Sequence, residues 1–373
     1  MQKPEAAASG RPRHLLHVFS TFAIGGPQRR FVDLANRFGR RFRHTIVALD
    51  GNEACATALD PGLDVSFLRM TIDKGRLWHN LRRWRREIAA LAPDLLLTYN
   101  WGAIEWALAN RFWPLCPHVH FEDGFHPDEV QGQKRRRVLM RRLALGKTKQ
   151  VVVPSRTLHR MAHQIWRLPA RKVLYVPNGI EAGRYGAPPP PLEPSLPGEG
   201  KVIGTLATLR EEKNIGRLIR AVAALGEPNV RLVVAGEGPE RPALEHLAAE
   251  AGIGDRTHFL GHVQPEAVLG HFDLFALSSD TEQMPLSILE AMAAGRAVAA
   301  VRVGDVATML APENAKLLVA PGDEAGLTQL MARLLADDAL RADLGQRNRA
   351  HVTAHFSAVA MLAAYERIFS TAG

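Results

Sequence analysis

Cysteine is scarce: the 373 residues hold two, Cys55 and Cys116. Two thiols cannot build a disulfide framework or a four-cysteine zinc site, so a reducing compartment is the plain reading. Long apolar runs are also missing. No stretch reaches the ~18 uninterrupted apolar residues that a membrane-spanning helix needs. The opening MQKPEAAASGRPRH has no apolar core before Leu15, which argues against a signal peptide and predicts a flexible leader over residues 1–12. No internal repeat of fixed period is visible.

What is present is ordinary globular material, 46 % apolar and 23 % charged, long enough for two or three domains with real cores. The net charge of +9 is unevenly spread. Residues 1–200 carry 31 basic and 17 acidic side chains, residues 201–373 carry 16 and 21. The first half is therefore built to meet something anionic. Between the halves, residues 186–200 (GAPPPPLEPSLPGEG) hold six prolines and no periodic apolar pattern, which reads as a semi-rigid linker.

Both halves alternate short apolar runs with helical patterns, the signature of parallel sheets covered by helices. Strands are predicted at 14–20, 44–50, 94–99, 118–122 and 151–155, then at 201–209, 230–238, 257–263, 273–279 and 297–303. Helices are predicted near 27–38, 76–91 and 133–146, then near 214–225, 240–251, 265–271 and 285–294, with helix throughout 324–370. The fold class is thus α/β, with two Rossmann-like, doubly wound domains. Ligands in such sheets bind at the carboxyl ends of the strands, which here means a cleft between the domains.

The stretch SSDTEQMPLSILEAMAAG (278–295) is the richest in chemistry. Pro285 suits a first helical turn and Gly295 a helix stop. A helix starting there offers free N–H groups and a positive dipole end to an anion such as a diphosphate. Glu282 precedes the helix and Glu290 lies inside it; a carboxylate can accept from two adjacent sugar hydroxyls at once. Taken alone, the pair is better read as a solvated loop charge at Glu282 and a local cap or pair at Glu290. Arg210 and Lys213 follow the strand 201–209 and are placed to hold a diphosphate. They could also be a helix-start charge pair balanced by Glu211 and Glu212. Gly236 and Gly238 bracket Glu237 at a strand end, a weak signal because any tight turn favours glycine. Gly25 and Gly26 permit close approach of the backbone before a Pro27 helix. His118 and His120, alternating on a strand without a third ligand, are poor evidence for metal.

Glu-x7-Glu followed by Ala-Met-Ala-Ala-Gly resembles the signature of the retaining family 4 glycosyltransferases, which have the GT-B fold. TLREEKN, VVAGEGPE and FLGHV follow the family order through 201–300, and FAIGGPQ, VVVPS and VPNGI are similar in the first half. About two-thirds of the chain can be matched in this way. The resemblance implies transfer of a sugar from a nucleotide-diphosphate donor to a saccharide or lipid-linked acceptor with retention of configuration, with no metal or other cofactor required. It implies an acceptor domain at 13–185, a donor domain at 201–350, and a segment 351–373 that crosses back to the first domain. The implied donor site comprises Gly25, Gly26, Arg210, Lys213, Gly236, Glu237, His262, Glu282, Met284, Pro285, Leu286 and Glu290. Catalysis would fall to Asp123, Lys213 and Glu282.

The chain departs from the family at two points. Glu122-Asp123-Gly124 stands where many members carry a cleft histidine, so Asp123 would serve as base, orienting acceptor or substrate-hydroxyl partner, unless His120 or His126 supplies an imidazole. Thr308 in VGDVATM replaces the family's usual glutamate. Many members place their arginine five residues before the lysine, where this chain has Thr208; others use the three-residue spacing of Arg210 and Lys213. The alternatives are a sugar-nucleotide epimerase or hydrolase of the same fold, or a catalytically silent nucleotide-sugar-binding protein.

The helix 76–92 puts Leu77, Leu81, Trp84, Ile88 and Leu91 on one stripe, with Arg76, Arg82, Arg83, Arg85 and Arg86 around it, and KRRRVLMRR (134–142) adds six cations. A core stripe with a solvated basic back accounts for the apolar residues. The cations suit an anionic membrane surface. No nucleic-acid recognition motif accompanies them, so nucleic acid is not expected as a partner. The expected location is the cytoplasm, with the inner face of the membrane as a peripheral site.

Overall fold

The computed structural model describes residues 11–371 apart from 71, 74, 113, 125–128, 130, 131, 187 and 192–198. The first domain holds β1 (Arg13–Phe19), β2 (Phe42–Ala48), β3 (Val65–Phe67), β4 (Leu95–Tyr99), β5 (His118–Phe121), β6 (Gln150–Val153) and β7 (Val173–Tyr175). They form one sheet in the order β3-β2-β1-β4-β5-β6-β7. The second domain holds β8 (Val202–Leu206), β9 (Arg231–Ala235), β10 (Thr257–Gly261), β11 (Leu274–Leu277) and β12 (Ala297–Ala300), in the order β10-β9-β8-β11-β12. All pairings between these strands are parallel. Helices cover both faces, so the strands are apolar on both sides; Leu15, Leu16, Ile203 and Leu274 are fully buried.

The helices of the first domain are α1 (Gly26–Phe38), α2 (Leu77–Leu91), α3 (Ile104–Ala109), α4 (Arg135–Leu145) and α5 (Arg156–Gln164). Those of the second are α6 (Ile215–Ala223), α7 (Arg241–Glu250), α8 (Pro265–Val268), α9 (Leu286–Ala293), α10 (Val306–Met309), α11 (Pro312–Ala315), α12 (Glu324–Ala336) and α13 (Asp338–His355). The last helix, α14 (Ala358–Thr371), leaves the second domain. Its Met361, Tyr365, Ile368 and Phe369, spaced at helical intervals, pack into the first core beside Phe31, Phe38 and Phe42. Phe356, just before it, still belongs to the second core. A bridge between Ile180 and Ser357 ties the crossing to the end of the first domain.

Six elements escape the periodicity of the sequence: β3 and β7, three residues each, and the short helices α3, α5, α10 and α11. Segment 151–155 divides differently from expectation. The strand ends at Val153, and Ser155 caps α5 by accepting from the Leu158 N–H at 3.0 Å. The proline-rich segment lies partly outside the described residues. Among the described residues, no helix is long and apolar enough to cross a membrane. In both sheets the strand order reverses beside the first strand, between β1 and β4 and between β8 and β11. The crevices at these two reversals are where doubly wound sheets bind ligands, and here they face each other.

Candidate active site

A cleft of about 340 Å³ lies between the two switch points. Gly25, Gly26, Arg29, Arg30 and Asp123 line it from the first domain; Lys213, Glu237, His262, Glu282 and Glu290 line it from the second, with the turn Met284-Pro285-Leu286. One expected residue is absent from the lining. Arg210 is exposed at the entry to the turn 211–213, while Thr208 lines the cleft instead. The expectation that Arg210 projects inward is therefore corrected. β8 ends at Leu206, so both positions lie in the loop beyond it, where strand alternation no longer sets direction; Thr208, at the position where many family members carry arginine, is the one that lines the cleft.

Pro285 is the N-cap of α9, and no side chain caps that helix; the Ile288 N–H turns back to the Pro285 carbonyl, which leaves the Leu286 and Ser287 N–H groups to face a ligand. Lys213 Nζ donates to Glu282 Oε1 at 2.6 Å, and Ser279 Oγ donates to the same oxygen at 2.8 Å. Glu290 faces Arg29 across the cleft. Burial pushes its carboxyl up to about 7, with the Arg29 charge opposing and Glu266 adding to the rise. Gly236 sits at φ 142°, where a Cβ would stand 1.8 Å from the Ala207 carbonyl oxygen. That glycine lets two strand ends meet at the cleft floor. Glu237 lines the cleft but is also paired with Arg241. A Cβ on Gly26 would meet nothing within 4 Å, so space for a ligand adjoins the Gly-Gly turn.

Asp123 is held by neighbours that the sequence does not reveal. Arg30 donates to both of its oxygens, at 2.6 and 2.8 Å, and also to Asn178 Oδ1 at 3.0 Å. The Asp123 N–H donates to Asn100 Oδ1. Burial alone would lower the Arg30 guanidinium's pKa; the charge and hydrogen bond of Asp123, together with Tyr365 and Tyr99, outweigh it, and the net direction is upward. His120 is corrected as a source of imidazole. It is fully buried, hydrogen-bonded through Nδ1 to Thr98 and through Nε2 to Glu122, and does not line the cleft. His126 lies outside the described residues. Glu122 is itself buried against Arg141, which also binds Glu129 and packs over Trp101 and Trp166. Arg141 thus leaves the set of surface cations to which the sequence assigned it. Among the described residues no group of three His, Cys, Asp or Glu side chains is arranged to hold a metal.

Sequence reasoning missed Arg29, Arg30, Asn178 and Gln283. Asn178 lies in VPNGI, a piece already matched to the family, so that motif was its available signal. Its Nδ2 donates to the Met284 carbonyl at 3.0 Å, joining the two domains beside α9.

The fold and the facing crevices define a two-domain GT-B architecture. Residues 24–184 match Glycosyltransferase Family 4, and residues 193–351 match Glycosyl transferases group 1. The chain belongs to this family of glycosyltransferases. It is similar to the 2-deoxystreptamine glucosyltransferase of Streptomyces kanamyceticus, 34% identical over 180 residues, which is 45% of this chain and 46% of that protein. It is also similar to the lipopolysaccharide core biosynthesis glycosyltransferase LpsD of Rhizobium meliloti, 25% identical across 92% of this chain and 95% of that protein. The matched region spans about half the length of the first-ranked curated relatives. The solved structure of Anabaena Alr3699/HepE in complex with UDP-glucose superposes with a TM-score of 0.79, at 18% identity, over 96% of this chain and 99% of that one. Sucrose-phosphate synthase from Thermosynechococcus elongatus gives 0.76 at 21% identity over 96% and 98%.

Proposed function

We propose that the protein transfers a sugar from a nucleotide-diphosphate donor to a saccharide or lipid-linked acceptor, with retention of anomeric configuration. The observation that carries this reading is the convergence on one cleft of the uncapped α9 N-terminus, Lys213, Glu282 and Glu290, opposite the Gly25–Gly26 turn and Asp123. In it, Glu290 accepts from the ribose hydroxyls, Lys213 and the α9 N–H groups hold the diphosphate, and Glu282 sits nearer the sugar. Arg29 adds a cation at the same end of the cleft. These charges neutralise the leaving diphosphate without need of a metal.

Two carboxylates placed for a double displacement are not apparent, which favours front-face attack with the departing diphosphate taking the acceptor's proton. Asp123 is engaged by Arg30 at both oxygens, so it serves better as an orienting acceptor for a substrate hydroxyl than as a base. The same pairing is what a silent nucleotide-sugar-binding protein would show, and activity separates the two. Incubation with a panel of nucleotide sugars, with and without saccharide or lipid extracts, should release nucleotide only when an acceptor is present. Release without acceptor would indicate a hydrolase. Binding without release would indicate a scaffold.

The membrane as a peripheral site belongs to the same proposal. Its support is the exposure of Arg82 and Arg86 on α2 and of Arg135 and Arg136 on α4, together with exposed Trp78, Leu139 and Leu143.

A further inference from the structure

Asp305 is the N-cap residue of α10, yet its side chain does not cap that helix. It reaches instead into the other domain. Its carboxylate accepts from the Arg156 N–H, from the Thr157 N–H at 3.0 Å and from Thr157 Oγ at 2.7 Å. Those groups form the first turn of α5, whose free N–H groups and positive end favour a carboxylate. Asp305 is only 3 % exposed, so these bonds are made out of water, where they are strong and costly to lose.

The backbone of the same residue holds the donor turn. The Asp305 N–H donates to the Gln283 carbonyl at 2.9 Å, and Ser155 Oγ, beside the capped turn, donates to Gln283 Oε1 at 3.2 Å. Gly304, at φ 52°, is pressed so closely on this turn that a Cβ would stand 2.2 Å from the Glu282 carbonyl oxygen. One residue therefore binds the acceptor domain by its side chain and the segment carrying Glu282 and Met284 by its backbone.

We propose that Asp305 is a positioning residue for the transfer reaction: its cross-domain cap on α5 locks the donor turn to the acceptor domain and sets the closed spacing of the cleft. This rests on the glycosyltransferase reading for its catalytic consequence, but the latch itself is a property of the unliganded chain. Donor and acceptor must meet within about 3–3.5 Å for attack, and a misplacement near 1 Å can cost about a hundredfold. A buried three-donor contact next to Pro154 and Gln283, which line the cleft from its two sides, is suited to fixing that spacing.

The test compares Asp305→Ala, Asp305→Asn, Arg156→Pro and Arg156→Ala. Arg156 is the first helical residue of α5, where proline keeps the helix and removes only the N–H, and Ser155 before it is already extended. Asp305→Ala and Arg156→Pro should broaden the distance distribution between spin labels placed on the two domains. Arg156→Ala, which keeps the N–H, should not. With a turned-over nucleotide sugar, Asp305→Ala should lower kcat about ten- to a hundredfold while UDP affinity stays within about threefold, and Asp305→Asn should recover part of the loss. Label distances unchanged in both Asp305→Ala and Arg156→Pro would overturn the latch, whether or not any activity is found. Broadened distances with wild-type kcat, or a UDP affinity that falls as far as kcat, would overturn the positioning role. Absence of turnover in the wild type would count against the transfer reading alone.

Discussion

At the scale of single residues, the cleft gives Lys213 and Arg210 different fates. Lys213 lines the cleft and pairs with Glu282, whereas Arg210 is exposed and does not line it. Lys213→Ala should therefore depress kcat more than it raises KM, by about ten- to a hundredfold, because the charge on the leaving diphosphate grows towards the transition state. Arg210→Ala should leave both constants near wild type. Steady-state kinetics on the two variants checks the contrast, and an Arg210→Ala loss as large as that of Lys213→Ala would restore the inward arginine.

Glu290 gives a pH dependence with a defined sign. Its carboxyl is raised to about 7 in the folded chain, above its unfolded value. The neutral form's contribution to stability is thus complete below the unfolded pKa and is lost as pH rises through about 7. Nucleotide recognition runs the opposite way, because the ionised carboxylate is the better acceptor for two ribose hydroxyls. UDP affinity should rise more steeply between about pH 6 and about pH 8 in the wild type than in Glu290→Gln, whose remaining slope reports the second ionisation of the terminal phosphate, near about pH 6. Calorimetric titration across that range decides it, and an equal slope in both proteins would reject the assignment.

At the scale of elements, α4 illustrates both what its sequence says and what it hides. The run KRRRVLMRR reads as a solvated basic helix, and Arg135 and Arg136 are indeed exposed. Arg141 is fully buried, its guanidinium shared between Glu122 and Glu129. Among the described residues, Arg141→Ala leaves buried Glu122 with only His120 as partner and Glu129 with only Arg137, and should destabilise the protein by about 3–5 kcal/mol, measured by denaturant unfolding. A loss below about 1 kcal/mol, the scale of an exposed pair, would contradict the burial.

The same contrast explains what was legible. The long strands and α9 are written in local periodicity and end signals, as in the run from Asp273 through Pro285 to Gly295. Strands as short as β3 and β7 hold too few residues to show alternation. Arg30, Asn178 and Asp305 carry no local signature, because their partners lie about a hundred residues or more away. Glu282, Glu290 and Lys213 were legible because the family motif surrounds them. Arg210 was misplaced because the strand stops at Leu206 rather than 209, so the residue falls in a loop whose course the spacing does not fix.

At the scale of the whole molecule, charge and architecture divide the labour. The basic first domain presents exposed cations with Trp78, Leu139 and Leu143, and the second supplies most of the donor pocket. Sedimentation with vesicles should be strong for anionic lipid, weak for neutral lipid, and lost at high salt, since screening acts within about 10 Å at 0.1 M. Equal binding to both vesicle types would remove the electrostatic argument. The central claim concerns the cleft itself: the donor's nucleotide half rests on α9, with Glu290 on its ribose. The most direct measurement is a calorimetric titration of UDP, GDP and ADP into the wild type and Glu290→Ala, at a pH where Glu290 is ionised. The account predicts that the wild type binds at least one of the three, and that Glu290→Ala weakens it by about 1.5–3 kcal/mol, the worth of a charged hydrogen bond. Equal affinity in the two proteins, or no binding of any of the three to the wild type, would contradict it.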